Sequence, residues 1–583
     1  MNHIVAFLIT TAEPDSQEFK NASQTLYFLA REANFRVSEG RVGNKYLFLV
    51  GQQPPELPVT LDENGFSFSL CPQSGISIEW DRFLKIKISG RSINVENDYA
   101  GTVPVFYSQT KYLSISNIAS CIEKLEGVGF NDLSPASIYG FLRFSHFIWD
   151  ETAFSSIKQL IPDSSATFRD GAPESIVSKG SIHASSSRVN SSDKAVADDL
   201  FELNRNLVLR TLGNAETIIL PLSAGYDSRM IFSVLASDKN QKKKLRCFTY
   251  GEPGCIEVEA ARELCKHEGV SWRRLSLPCK FLSRNYLDTI YHIFGSSLHM
   301  HGMYQLEFFD ELKQYTQIQG ATVLTSGFMT GVPAGQHNRL LNISNASQSL
   351  CEAMTAFGQS QLWTPESLAK MPLFASTEYT PYAEEKFKSA FNAAPGETYH
   401  KSIIFDIWTR QRNFISYYPR TLEWRIPTVS PHMNAEYANF YLSLSQKHLD
   451  GRRAVELMFS KHYPTHAAIV SNSNGLKTLS RSTDSVMYLV SKLLSRFGSV
   501  SKILPRKFWA TNLWLDIPAI QTSGAAGFYP IQSDHADVQN LIESLCGTRT
   551  LETTIESALR GNAKSYDQLV TIQALAYSLL KAK

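Results

Sequence analysis

Residues Thr217 to Ala236, TIILPLSAGYDSRMIFSVLA, constrain the fold of this chain more than any other stretch. An apolar, β-branched run ends in a loop of small residues, and the loop opens into an amphipathic helix. Such a loop suits phosphate. Small residues let the backbone come close, amide N–H groups converge on the anion, and the positive end of the following helix favours its charge. Ser223 and Ser228 add hydroxyl donors, and Asp227 is placed to hold the Mg²⁺ that accompanies a nucleotide. The Walker pattern GxxxxGK[ST] is absent, which excludes an ordinary kinase-type loop. For the hexapeptide alone, a β-turn of common turn residues is the competing reading.

The flanking sequence favours the phosphate reading. A basic patch (Lys239, Lys242, Lys243, Lys244) read as a solvated loop precedes a second strand-like run, Arg246–Tyr250. GEPGCIEVEAARELCKHEGVSWRRLSL then reads as turn, helix and third strand, at an interval that suits a βαβ crossover. Ser-Gly-Gly-x-Asp-Ser is the pyrophosphate loop of ATP-dependent enzymes that cut between the α and β phosphates. Ser223–Ser228 matches it in five of six positions, with Ala224 in place of the first glycine. With FTYGEPGCIEVEAARELCKHEGV following, the chain resembles the asparagine synthetase family. That resemblance implies an ATP site at Leu222, Ser223, Ala224, Gly225, Tyr226, Asp227 and Ser228, with Phe248, Tyr250 and Gly251 along the adenine. It also implies Mg²⁺ on Asp227.

Length and composition set the frame. A chain of 583 residues exceeds one core and predicts several domains. With 57 basic and 55 acidic residues, a net charge of +2 offers no electrostatic case for nucleic acid or a membrane surface. Eight cysteines are scattered singly without a CxxC pair, the usage of reduced thiols in a cytoplasmic protein. MNHIVAFLIT lacks a basic n-region and reads as a strand, and nothing approaches an 18-residue apolar run.

Short alternating runs fill residues 1–170: Tyr46–Val50, Phe66–Leu70, Ile76–Trp80, Leu84–Ile88, Val103–Tyr107 and Tyr112–Ile115, with helices around Asp15–Ala33 and Pro135–Phe144. Residues 171–193, rich in serine, read as a linker. Residues 194–480 carry the phosphate loop and many helices, and 481–583 read as a helical C-terminal extension ending in an amphipathic helix. NDYAGTVPVFYSQTKYLSISNIASCIEKL is similar to the hallmark segment of the family's glutaminase domain. The expected fold class is therefore an α+β N-terminal two-sheet sandwich of the N-terminal nucleophile glutaminase type. An α/β parallel-sheet ATP pyrophosphatase domain follows it.

Four departures qualify the resemblance. Glutaminase chemistry of this type needs an N-terminal cysteine, whereas position 2 is Asn2, followed by His3, and the nearest cysteine is Cys71. In VLTSGFMTGVPAGQHN, Ser326, Gly327 and Gly335 fit the family's second loop, but its aspartate falls on Gly331. Where β-lactam-forming relatives place a tyrosine in this loop, Phe328 stands. The aspartate after the Pro431 turn is Asn434. Arg410 and Arg412 read equally as carboxylate or phosphate ligands and as inter-helix salt-bridge residues. Lys477 sits near the family's lysine facing the α-phosphate. Glu257 and Glu259 open a helix, where its dipole accounts for them, though Glu257 lies where the family has an acidic residue near the nucleotide. His292, His299 and His301 read as partly buried helix residues rather than a metal site.

The resemblance implies an ATP-dependent carbon–nitrogen ligase, with Asp227 and Lys477 as catalytic residues. A small-molecule, sugar or peptide carboxylate attacks the α-phosphate, and free ammonia or an amine then displaces AMP. The alternative is a catalytically impaired homologue that binds nucleotide or acts as a scaffold. Asparagine biosynthesis is one setting, with a homodimer left open.

Overall fold

A computed structural model describes residues 4–55, 66–70, 83–89, 92–108, 110–169, 172–185, 187–250, 253, 256–275, 284–297, 322–336, 363–375, 378–469, 535–559 and 563–582. The chain is mixed α/β, with antiparallel sheets in its first third and a five-stranded parallel sheet beyond.

The first sheet has the order β2-β3-β1-β8-β7-β9, from β1 (Ile4–Thr10), β2 (Arg36–Val42), β3 (Lys45–Gly51), β7 (Phe106–Ser108), β8 (Ser114–Ser116) and β9 (Ile157–Gln159). The second runs β11-β10-β6-β5-β4, from β4 (Phe66–Leu70), β5 (Leu84–Ile88), β6 (Ser92–Asn97), β10 (Ser164–Arg169) and β11 (Ala172–Ser178). Alternation explains the pairing: Leu84, Ile86 and Ile88 are buried while Lys85 and Lys87 face out. Those inward residues share one core with Ile4, Phe7, Leu47 and Leu49 of the first sheet. The two sheets therefore enclose a common apolar layer, with Phe7 and Phe68 meeting edge to face at 5.7 Å.

On the other face of the first sheet lie α1 (Gln17–Ala33) and α2 (Ala119–Glu126), through Leu26, Leu29 and Ile122. Ser16 caps α1 by accepting from Phe19 N, and α3 (Pro135–Phe144) follows a capping Ser134 with proline in its first turn. The strand expected at Val103–Tyr107 starts at Phe106 because Pro104 has no N–H to pair. The expected strand Ile76–Trp80 lies outside the described residues.

The stretch read as a linker is structured at both ends. Ala172–Ser178 is the edge strand β11, where Pro173 sits beside a register shift. Beyond it, Ser185 N and Arg188 N donate to Leu442 O and Ser443 O. The lysine patch, read as a loop, is a short helix, α6 (Lys239–Lys244), capped by Asp238.

The parallel sheet has the order β14-β13-β12-β15-β16, from β12 (Thr217–Pro221), β13 (Leu245–Tyr250), β14 (Ser271–Leu275), β15 (Thr322–Thr325) and β16 (Thr428–Val429). Helices α4 (Asp193–Leu212), α5 (Tyr226–Ser237) and α7 (Ile256–Glu268) flank these strands in sequence, and α8 (Arg284–Phe294) follows β14. Strand β12 is buried and hydrophobic, as a central parallel strand must be. It pairs with β13, next in sequence, on one side and with β15 on the other. The winding thus reverses at the β12/β15 boundary, the position at which α/β sheets open a crevice at their carboxyl ends.

The two halves are joined by polar locks. Helix Ile407–Ile415 is a π-helix whose Arg412 donates to Gly101 O, Trp149 O and Leu160 O of the first half. Trp408 Nε1 donates to Tyr99 O at 2.8 Å and Asn413 Nδ2 to Phe147 O at 2.7 Å. Of the C-terminal region, helices His535–Cys546, Thr548–Leu559 and Ala563–Ala582 are described. The last is no detached extension: Leu575 and Tyr577 join the same core as α1 and α2, and Tyr577 and Lys581 bind Asp288 of α8.

Candidate functional site

Loop Leu222–Ser228 leaves the carboxyl end of β12, and loop Ser326–Gln336 leaves that of β15. They touch. A Cβ on Gly327 would lie 2.9 Å from both the Asp227 carbonyl carbon and Ser228 N, so only glycine permits this approach. Thr330 anchors the second loop: its carbonyl accepts from Tyr437 OH at 2.9 Å and its Oγ1 lies 2.6 Å from His432 Nδ1. Burial pushes His432 down to about 3, so the ring is neutral, and its Nε2 faces Asn204 Oδ1 at 2.7 Å.

Within the first loop, several amides already have acceptors. Ser223 N donates to Ser228 Oγ and Gly225 N to Ser223 Oγ, both at 3.1 Å. Ala224 N donates to the Glu257 carboxylate. Glu257 is thus more than a dipole partner at the start of α7: it places an anion on the loop itself. Burial pushes its carboxyl above the ordinary value, opposed by the Ala224 amide and the Arg229 charge. Gly225 stands at the N-cap of α5 and supplies no side-chain cap to that helix end.

Arg229 fixes the loop from beneath. Fully buried, it donates to Ala224 O at 2.8 Å, His466 O at 2.9 Å and Ile469 O at 3.0 Å. Desolvation lowers the guanidinium to about 10, so it remains charged at neutral pH.

Asp227 meets a guanidinium. Arg452 Nη1 donates to Asp227 Oδ1 at 3.0 Å, with the two side chains 21% and 34% exposed, so the pair sits at the mouth of the site rather than in the interior. Arg452 also lies over the Tyr226 ring at 5.2 Å. Its backbone is left-handed, φ 61°, directly after Gly451 at the same φ. For a side chain as long as arginine this conformation costs on the order of 1 kcal/mol, held here by the contacts to Asp227 and Tyr226. Gly331 lies against the same carboxylate: a Cβ there would be 2.9 Å from Asp227 Oδ1 and would collide with Gln336 Oε1. The position where an aspartate is expected is therefore beside Asp227, and it holds an amide oxygen instead.

The other expected residues divide. Phe248 is buried with Ile219, Leu275 and Leu324, and its carbonyl accepts from Leu222 N at 2.9 Å, so that edge is committed to the sheet. Tyr250 is half-buried at the end of β13, and desolvation raises its hydroxyl well above the ordinary value. Ser326 Oγ accepts from Phe328 N within its own loop. Asn434 caps helix Ala435–Leu442 by accepting from Glu436 N at 2.8 Å. Arg412 is spent on backbone carbonyls and takes no part in the site, while Arg410 lies over the Phe414 ring. His292 is half-buried in α8 against Phe28, and desolvation lowers it to about 3. Gly251, Lys477, Asn2, His3, Cys71, His299 and His301 lie outside the described residues. The described cysteines, Cys121, Cys247, Cys265 and Cys546, are buried thiols.

Two site residues carry little sequence signal. Arg229 is marked only by a charge inside the apolar run MIFSVLA, and Arg452 only by its place after a glycine in DGRR. Among the described residues, no helix is long and apolar enough to cross a membrane. A scan against protein-family models and a search of curated proteins both found no match to this sequence.

Proposed function

We propose that this chain is an ATP-dependent amide-forming ligase of the asparagine synthetase type, with a glutaminase-like first half that lacks its own nucleophile. One observation carries the reading: the loops after β12 and β15 meet at the reversal of the parallel sheet, with Gly327 packed on the Asp227–Ser228 peptide. Backbone so close, next to an α5 start capped by no side chain, suits a triphosphate tail.

In this reading Ser223, Ser228 and the start of α5 hold the leaving pyrophosphate, and Arg452 adds positive charge beside it. The donor set fits a phosphate better than a metal, since Asp227 is the one carboxylate of the two loops and is already ion-paired. Mg²⁺, which commonly takes one or two carboxylates, would supply charge neutralisation on Asp227 once Arg452 moves aside. The acceptor is a carboxylate that becomes an acyl-adenylate, and free ammonia or an amine releases AMP.

A second reading, a nucleotide-binding homologue without turnover, is favoured by the Asp227–Arg452 pair and by Gly331. Exchange of labelled pyrophosphate into ATP separates the two. Carboxylate-dependent exchange that vanishes in Asp227→Ala supports the ligase. Silence across aspartate, peptides and uronic acids, with MgATP still bound, supports the homologue. No ATP binding at all removes the ligase and leaves a scaffold role.

A further inference from the structure

Away from the two loops, three potential metal ligands converge where α7 ends. His267, Glu268 and His466 each place one donor atom within 4.8 Å of the others, although His466 lies some 200 residues further along the chain, in helix Pro464–Ala468. Glu268 Oε1 is 3.0 Å from His466 Nε2 and 3.2 Å from His267 Nδ1, so one carboxylate oxygen faces both imidazoles.

The surroundings have the form of an outer shell. His466 Nδ1 lies 2.8 Å from Ser233 Oγ, and Tyr463 stacks on the ring with 6° between planes, which fixes its orientation. Without a cation, Nε2–H donates to Glu268; with the Nδ1 proton on the Ser233 side instead, the Nε2 lone pair would be free to bind a cation held against the same carboxylate. The second carboxylate oxygen accepts from Lys242 Nζ at 2.9 Å. Ligating histidines donate their other N–H to an oxygen, and ligating carboxylates are themselves hydrogen-bonded, in just this way. The His466 side chain is 4% exposed and that of His267 is 49% exposed, so the cluster is closed on one side and open to water on the other.

We propose that His267, Glu268 and His466 form a binding site for a zinc-class divalent cation, with solvent completing the coordination. Two imidazole nitrogens and one carboxylate oxygen suit Zn²⁺ and its late first-row neighbours, and they do not suit Mg²⁺ or Ca²⁺, which take oxygen. The Lys242 ammonium lies on the far carboxylate oxygen, where it orients the ligand. The site braces the loop after β12: His466 carries the cation on its ring and accepts from Arg229 on its carbonyl, and Arg229 holds Ala224 O. The proposal is independent of the ligase reading.

The test uses the full chain, stripped by chelator and titrated with Zn²⁺ against a fluorescent zinc chelator. One equivalent is expected, weakened at least ten-fold in His267→Ala and in Glu268→Gln, and about ten-fold in Ser233→Ala, which removes only the outer-shell partner. Zn²⁺ should also raise the thermal midpoint of the wild-type chain and leave that of His267→Ala unmoved. Because His267 is half-exposed, its alanine variant keeps the fold. Equal zinc affinity in wild type and His267→Ala would mean binding at other histidines or thiols and would overturn the proposal, as would the absence of a bound equivalent.

Discussion

Arg452→Gln removes the guanidinium from Asp227 while keeping a side chain of similar length. Opposite charges with centres about 4 Å apart attract by about 4 kcal/mol at an effective dielectric of ~20 and by about 1 kcal/mol in water. With the two side chains a fifth and a third exposed, solvent screening places the pair near the lower end, at about 1–1.5 kcal/mol. That free energy must be given up before a cation can take Asp227, and about 1.4 kcal/mol corresponds to a factor of ten. The Mg²⁺ midpoint for ATP binding, followed by calorimetry at fixed ATP, should therefore fall about ten-fold in Arg452→Gln. A denaturation cycle of Asp227→Asn, Arg452→Gln and the double variant should give a coupling of about 1 kcal/mol, independently of any ligand. A Mg²⁺ midpoint that stays put or rises, alongside that coupling, would refute the competition between Arg452 and the metal. A coupling near zero would refute the pair itself.

Three further outcomes are expected. Burial raises Glu123 to about 7 from its ordinary 4.5, its Oε2 having no hydrogen-bond partner among the described residues. Its contribution is fully present below pH ~4.5 and is lost as pH rises through ~7, so Glu123→Gln should gain about 3 kcal/mol over wild type at pH 8 and nearly nothing at pH 4.5, measured by chemical denaturation. Arg412→Met strips three carbonyls of a charged donor while relieving a buried charge, and should cost about 3 kcal/mol and loosen the two halves, seen as faster proteolysis between them. Gly327→Ala puts a methyl group against backbone at 2.9 Å and should abolish ATP binding while the antiparallel sheets keep their hydrogen-exchange protection. Unchanged binding in that variant would break the link between the two loops and the nucleotide.

What the sequence reveals here depends on how local the cause is. Strand β12, its loop and α5 are legible because a β-branched apolar run, small residues and helix periodicity all act within twenty neighbours. The same holds for α1 and α3, whose capping residues Ser16 and Ser134 stand just before them. Strand β11 is not legible, because its serine-rich run becomes a strand only through pairing with β10. Arg412 reads as a ligand in isolation and turns out to be a clamp, since its acceptors lie more than 250 residues earlier in the chain. Gly331 and Asp227 can be aligned by pattern, but that the glycine abuts the carboxylate is a fact of tertiary packing. Arg452 is least legible of all: its role arises from a left-handed turn that delivers a cation to Asp227, 225 residues earlier in the chain.

The charges about the loop come in compensating sets: Asp227 with Arg452 at the mouth, and Glu257 with Arg229 beneath. A site that keeps its own counter-ions binds an incoming anion only by displacing one, and Glu257 is the one that stands on a loop amide. Its desolvated carboxylate is held there against a rising protonation tendency, so neutralising it costs the fold little. In Glu257→Gln the amide oxygen still accepts from Ala224 N, but a neutral acceptor competes with phosphate less well than a charged one by about 1–1.5 kcal/mol. Inorganic pyrophosphate, titrated calorimetrically, should bind about ten-fold more tightly to this variant than to the wild-type chain, at an unchanged thermal midpoint. If its affinity is equal or weaker while the fold is intact, the Ala224 amide belongs to the scaffold and the loop is no anion cradle.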